Sequence, residues 1–181
     1  MLKTGQNHTA SLRDGRSVYI DGALAGDVTA HPAFRRTVQS VAGLYDFQSR
    51  PENIELMTFD TGNGDRANRI WQLPRSYDEM VERRRALVAW TELHGGFLGR
   101  APDHVASCIS GMMMGLSVFQ AHDPARAAAL GDYYRYARDN ELYLTYVIIN
   151  PQADRSKAAH EQADPFLSAG VVDQDAEGLT I

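Results

Sequence analysis

The stretch Leu142–Lys157, LYLTYVIINPQADRSK, constrains the fold of this chain more than any other. Nearly every segment before it reads as helix and nearly every segment after it as strand. From Leu142 to Ile149 the residues are aliphatic, aromatic or Thr without strict alternation. That suits a strand covered on both faces, or a passage from helix to strand into a second layer. Asn150-Pro151 then imposes an extended or turn conformation and removes a ladder donor. Gln152, Asp154, Arg155, Ser156 and Lys157 follow where a strand would otherwise continue. Polar groups at the end of a buried strand are placed to contact a ligand; the plainer alternative is that they end the strand in water.

The chain has 181 residues, room for one large or two small domains, and 44% hydrophobic with 23% charged residues suffices for a core. A net charge of −5 and a pI near 5.6 argue against nucleic acid as the main partner, and the run Arg83-Arg84-Arg85 reads as a solvated helix face. The one cysteine, Cys108, excludes an internal disulfide framework and a thiolate metal cluster, fits a reducing cytoplasm, and reads as a small core residue. No apolar run approaches about 18 residues and no charged-then-apolar leader opens the chain, so neither a membrane span nor a signal peptide is expected.

Taken in order, a short helix is expected over Asn7–Leu12, then a tight hairpin with Val18–Ile20 and Ala23–Val28 joined by Asp21-Gly22. His31-Pro32 opens a helix in which Phe34, Val38, Val41 and Tyr45 recur at helical spacing. Arg50–Ser76 reads as a long irregular connection, of the kind that is functional or mobile. Ser76 and Glu79 form a capping box for a helix to about His94, with Tyr77, Met80, Val81, Leu87, Val88 and Leu93 as its apolar stripe. A third helix carries Val105, Cys108 or Ile109, Met112, Leu116 and Phe119. Gly111 and Gly115 are its expected close-packing points, and Met112–Met114 its soft core filling. Asp123-Pro124 caps and starts a fourth helix, to about Asn140.

Ala169–Asp173, a turn over Asp175–Gly178, and Leu179-Thr180-Ile181 read as a hairpin whose second strand stops after three residues. The expectation is therefore an α+β chain. A mainly helical domain occupies residues 1–141 and the beginning of a β domain residues 142–181, as the N-terminal part of a longer protein.

Gly99-Arg100-Ala101-Pro102-Asp103-His104 lies between two helices, where free backbone amides and the helix dipole favour an anion. The plainer alternative is that Asp103 caps the helix and Arg100 pairs with it. Four further segments accompany it in order: SLRDGRSVYIDG, His31-Pro32-Ala33-Phe34-Arg35, Pro74-Arg75-Ser76, and Ile149-Asn150-Pro151-Gln152-Ala153-Asp154-Arg155-Ser156. Together they resemble the oxygenase component of the 4-hydroxyphenylacetate 3-monooxygenase family, over essentially the whole chain.

The resemblance implies an acyl-CoA-dehydrogenase-like fold: an N-terminal helical domain, a middle β-barrel domain only begun here, and a C-terminal helical bundle that is absent. It also implies a cytoplasmic flavoprotein, working as a homo-oligomer, by family resemblance a tetramer. A separate reductase supplies reduced FAD, which reacts with oxygen to a flavin hydroperoxide that hydroxylates a phenol ortho to its hydroxyl group. Neither nucleic acid, membrane nor metal is implied. By the family's pattern Arg100, His104 and Tyr146 surround the substrate, with His104 where many members have Tyr and Tyr146 where His is usual. An imidazole near neutral pKa steers a phenol's proton, whereas Tyr is a donor but a poor base. Thr145, Tyr146, Val147 and Ile148, with Gln152, Ala153, Asp154 and Arg155, fall where the family contacts FAD, Arg155 suiting a phosphate and Gln152 a ring edge. The alternatives are a flavin dehydrogenase of the acyl-CoA class and a non-catalytic remnant that packs or oligomerises. The isolated chain is expected to hold FAD weakly and to associate.

Overall fold

The computed structural model describes residues 2–98, 101–146, 154–164, 167, 171–176 and 178–180. The chain separates into two compact units, Met1–Leu144 and Thr145–Ile181. The first begins with helix α1 (Gly5–Ser11), where the Thr4 hydroxyl accepts from the Asn7 amide and the Asn7 side chain returns a bond to the Thr4 amide. The helix runs tight against α2 (Arg35–Ser49). A Cβ on Gly5 would come within 2.6 Å of the Ala42 carbonyl oxygen, and the Gly5 amide donates to Asp46 Oδ1 at 2.8 Å.

Between these helices, strands β1 (Val18–Ile20) and β2 (Ala23–Ala25) pair antiparallel with Tyr19 opposite Leu24. Asp21 and Gly22 have φ of 50° and 77°, the two left-handed residues a tight hairpin needs. Helix α2 starts later than His31-Pro32 suggests, because residues 31–34 form a separate turn closed by the Phe34 amide on the His31 carbonyl. Its buried face is Val41, Leu44, Tyr45 and Gln48.

The connection from Arg50 to Ser76 departs most from expectation. It is not irregular but a chain of short elements: helix α3 (Ile54–Met57), strands β3 (Thr58–Asp60) and β4 (Arg66–Asn68), and the 3-10 turn Arg69–Trp71. Strands β3 and β4 pair antiparallel, Phe59 opposite Ala67. Met57, Thr58, Asn68 and Trp71 are all essentially sealed from solvent, so this segment supplies the middle of the core. Around it pack Leu44, Ile70, Ala86, Trp90, Ala106, Tyr134 and Ala137. The Tyr134 hydroxyl donates to the Trp71 carbonyl at 2.5 Å, its ring edge-on to the indole at 6.2 Å, and Trp90 Nε1 donates to the Leu44 carbonyl at 3.2 Å. Tyr134 and Trp90 thus contribute both apolar area and a satisfied polar group, whereas the buried Trp71 Nε1 has no hydrogen-bond partner among the described residues.

Helix α4 (Tyr77–Glu92) has the expected cap on one side only. The Ser76 hydroxyl accepts from the Glu79 amide at 3.2 Å, but the Glu79 carboxylate takes the Arg75 amide rather than that of Ser76. Its stripe is also displaced. Tyr77 and Met80 are 80% and 59% exposed, while Ala86 and Trp90 are buried, so the core face runs through Arg83, Ala86, Leu87 and Trp90. The expected third helix is two: α5 (His104–Met114) and α6 (Leu116–His122), parted at Gly115, whose ψ of 20° leaves the helical range. Neither Gly111 nor Gly115 is a close-packing point, since a Cβ would meet nothing within 4 Å at the first and only its own helix's carbonyls at 3.8 Å at the second. Helix α7 (Pro124–Asp139) starts as expected, Asp123 Oδ1 accepting from the Ala125 and Arg126 amides at 2.9 and 3.2 Å.

After α7, Glu141 adopts a left-handed φ of 46°. Its buried carboxylate Oε2 accepts from Gln48 Nε2 at 3.0 Å and from the Lys3 amide, and its carbonyl accepts from the Tyr45 hydroxyl at 2.7 Å. Burial pushes this carboxyl up, against the pull of those hydrogen bonds. The network fastens the N-terminal segment to the last helix of the unit. Leu142, Tyr143 and Leu144 pack on the core but form no strand, and neither do Thr145 and Tyr146, contrary to the strand expected from Leu142; Val147–Ile149 lie outside the described residues. In the second unit, strands β5 (Asp173–Gln174) and β6 (Leu179–Thr180) pair antiparallel.

Two consequences follow for stability. Trp90→Ala removes a fully buried aromatic and leaves the Leu44 carbonyl without its indole donor, so it should cost about 3–5 kcal/mol, read as a lower urea midpoint. His8, stacked on Tyr45 at 4.9 Å, is pushed down to about 4 by burial and then by the Lys3 cation. Above pH 6.5 both folded and unfolded chains leave it neutral, whereas between 6.5 and 4 only the unfolded chain takes the proton. Stability should therefore fall as pH drops through that window, by up to about 3 kcal/mol, and His8→Phe should flatten the dependence in urea unfolding series.

Candidate functional site

The start of α5 is built from a bend at Ala101–Asp103 in which Pro102 and Asp103 are buried and the His104 amide donates to the Ala101 carbonyl at 3.0 Å. Asp103 occupies the cap position but is helical there, with φ −88°, and its side chain caps nothing. Its carboxylate turns to α4 instead. Arg83 Nη2 donates to Asp103 Oδ2 at 3.2 Å, to Ser107 Oγ at 2.6 Å and to the Ile70 carbonyl at 3.0 Å, and the Ser107 hydroxyl closes the triangle on Asp103. The two charged side chains are only 17% and 10% exposed.

Both plain expectations are thereby corrected. Arg83 is not part of a solvated face, because one helical repeat separates it from Trp90 and it shares that buried side of α4; Arg84 and Arg85 do face solvent. Asp103 is not a helix cap, because a guanidinium within reach binds a carboxylate more strongly than neutral backbone amides do. The sequence did hold a signal for Arg83: its seven-residue offset from the one tryptophan of the helix marks the core face better than the scattered aliphatics.

His104 is half-buried at the first position of α5. Gly99 and Arg100 lie outside the described residues. Along α5 the buried residues are Ala106 and Ser110, leaving Cys108 exposed rather than in the core. Met112 and Met114 are also exposed, and only Met113 packs on the core, so the methionine run is not all core filling. The physical reason is the register: the bonds of Ser107 to Arg83 and Asp103 turn the side of α5 that carries Ala106 and Ser110 inward and leave Cys108, Met112 and Met114 outside.

Of the flavin-side residues, Thr145 and Tyr146 belong to the second unit and are exposed, and Val147, Ile148, Gln152 and Ala153 lie outside the described residues. Asp154 folds its own loop: Oδ1 accepts from the Ser156 amide at 3.0 Å and hydroxyl at 2.6 Å, with Lys157 Nζ 3.6 Å from Oδ2. The Ser156 bonds hold this carboxyl below its usual range. Gln162 ties the loop from the other side, donating to the Asp154 carbonyl at 2.8 Å. Arg155 is exposed beside this ordered turn.

Residues 4–181 match the family described as 4-hydroxyphenylacetate 3-hydroxylase, N terminal. The chain belongs to this family. It is 35% identical over 99% of its length to the 4-hydroxyphenylacetate 3-monooxygenase oxygenase component of Geobacillus sp. (strain PA-9), and 39% identical over 98% of its length to the oxygenase component of 4-nitrophenol 2-monooxygenase from Rhodococcus sp.. It spans about a third of those relatives, 36% and 34% of their respective lengths. Among solved structures it resembles the oxygenase component of 4-hydroxyphenylacetate 3-monooxygenase complexed with FAD and 4-hydroxyphenylacetate. The TM-score is 0.83 and the identity 29%, covering 98% of this chain and 36% of that one. The helix-rich fold of the 4-hydroxyphenylacetate 3-hydroxylase N-terminal part is thus shared.

The exposed face of α5 is open to a direct chemical check. The native protein should titrate one thiol per chain with a disulfide reagent as fast as an unfolded control, because Cys108 is at the surface; a thiol that reacts only after denaturation would place it in the core.

Proposed function

We propose that the enzyme carrying this chain hydroxylates a para-substituted phenol ortho to its hydroxyl group, using molecular oxygen and reduced FAD delivered by a separate reductase. The observation that carries this reading is that the solved relative with this chain's fold holds both FAD and 4-hydroxyphenylacetate. Two relatives of different substrate, named for 4-hydroxyphenylacetate and 4-nitrophenol, share the para-substituted phenol and the ring position attacked beside its oxygen. Bound reduced flavin supplies two electrons and activates oxygen, so that one oxygen atom enters the ring and the other leaves as water.

The chain's own residues hold and orient. Arg100 offers its planar fork to the phenol or phenolate oxygen, just ahead of the free amides of α5, and the two act in the same direction on a negative charge. His104 offers an imidazole to accept or return the phenol's proton, a task for which a phenol side chain such as that of Tyr146 is poorly suited. Tyr146 is left as a donor to the substrate. Arg155 meets the FAD diphosphate and Gln152 the ring edge, with Thr145, Val147, Ile148, Ala153 and Asp154 shaping that wall. In this reading residues 142–181 begin the middle β-barrel domain of the acyl-CoA-dehydrogenase-like fold.

Losing one charge-assisted hydrogen bond at a desolvated site is worth roughly 1.5–3 kcal/mol, so Arg100→Ala should lower kcat/KM for the phenol by about one to two orders of magnitude. Reduced flavin should still be consumed, with hydrogen peroxide released in place of catechol. Arg100→Lys should fall between, keeping the charge without the fork. Product and peroxide assays decide it: unchanged coupling in Arg100→Ala would remove Arg100 from the substrate.

A further inference from the structure

Arg83 is the one cation of the Arg83-Arg84-Arg85 run that leaves the surface, and it does so to hold three groups on two different elements. Its Nη2 reaches the Asp103 carboxylate and the Ser107 hydroxyl, on either side of His104 in the first turn of α5, and the Ile70 carbonyl in the turn Arg69–Trp71. Its Nε, also sealed from solvent, has no hydrogen-bond partner among the described residues. As a device for stability this is poor. A buried ion pair recovers little beyond its desolvation cost, and an unpaired buried donor subtracts from that. What such an arrangement does give is a single register: donors with fixed directions accept only one placement of Asp103 and Ser107, where an apolar contact would tolerate sliding.

We propose that Arg83 is a positioning residue of the phenol site. By clamping Asp103 and Ser107 to the buried turn at Ile70, it fixes the first turn of α5, and with it His104. The proposal rests on the reading that His104 serves the phenol. Arg83 touches no substrate. It acts through the backbone of α5, where a displacement on the order of 1 Å is enough to cost a reacting geometry up to about a hundred-fold.

The test uses the complete enzyme that carries this chain, with 4-hydroxyphenylacetate and 4-nitrophenol as probes. Arg83→Met with Asp103→Asn removes both charges together, so no lone buried ion is left to unfold the protein. Ser107→Ala is the milder variant that keeps both charges. The double variant is expected to raise the phenol KM about 10- to 100-fold and to divert reduced flavin to peroxide, while flavin reoxidation without phenol keeps its wild-type rate. Ser107→Ala should move the same quantities in the same direction by less. In the flavin-free protein, amide hydrogen exchange at Ser107 and Cys108 should quicken in both variants, while the core amides around Trp90 keep their protection. A role confined to stability would instead lower the melting temperature and all rates together, leaving KM and coupling alone. Such a result, or unchanged exchange in the first turn of α5, overturns the proposal. A wild-type enzyme that hydroxylates neither phenol overturns the proposed function itself, and is told apart because it needs no variant to appear.

Discussion

The turn Arg69–Trp71 is held by its carbonyl groups, and most of the first unit is arranged to reach them. The Ile70 carbonyl takes Arg83 from α4, and the Trp71 carbonyl takes the Tyr134 hydroxyl from α7. Just before it, the Asn68 side chain accepts from the Ile70 amide at 2.9 Å and donates to Gln48 on α2. Arg69 completes the frame by donating to the Leu56 and Glu55 carbonyls at 3.0 and 3.1 Å while pairing with Glu82 at 2.9 Å. A short 3-10 turn leaves backbone carbonyls without partners inside it, and burying them is costly unless side chains supply the donors. Two helices send one each, Arg83 from α4 and Tyr134 from α7, while Gln48 on α2 accepts from Asn68 just before the turn. The turn is therefore a common anchor for α2, α4 and α7, and the orientation of those helices follows from it.

From that anchor the path to the candidate site is short. Arg83 leaves the anchor for Asp103 and Ser107, so the start of α5 is placed by the same turn that organises the core. The second unit is built on a different scale. Its described polar contacts are local, such as the Asp154 bonds to Ser156 and Lys157 and the Gln162 bonds back across the loop. Loops of that kind order themselves through neighbouring amides and hydroxyls without a large apolar core.

Legibility in the sequence divides along the same line. The hairpin at Asp21-Gly22, the Ser76 cap and the Asp123-Pro124 helix start were all readable, because each is decided by one side chain or one φ angle within a few residues. The motif around Pro102-Asp103-His104 and the Asn-Pro-Gln segment were readable too, as a resemblance that the family match bears out. The stretch Arg50–Ser76 was not. Its elements are three or four residues long, too short to show a period, and its fully buried residues Met57, Thr58 and Trp71 sit in no repeating pattern. Asp103 was misread for a related reason, since a helix-capping residue and an ion-pair partner look the same until the neighbour from another helix is known.

What the sequence determined by itself is the family, the hairpin turn at Asp21-Gly22 and the helix starts at Ser76 and Asp123. What only the tertiary structure decided is burial: that Arg83 goes in while Arg84 and Arg85 stay out, that Tyr77 and Met80 are exposed while Ala86 and Trp90 are covered, and that an apparent loop is the centre of the core. The reason is that a turn or a cap satisfies groups already adjacent along the chain, whereas burial depends on which distant surface arrives to cover a face. On α4 that surface was the turn Arg69–Trp71 and helix α5, and it selected the side carrying Arg83, Ala86, Leu87 and Trp90 over the side carrying Tyr77, Met80 and Val88.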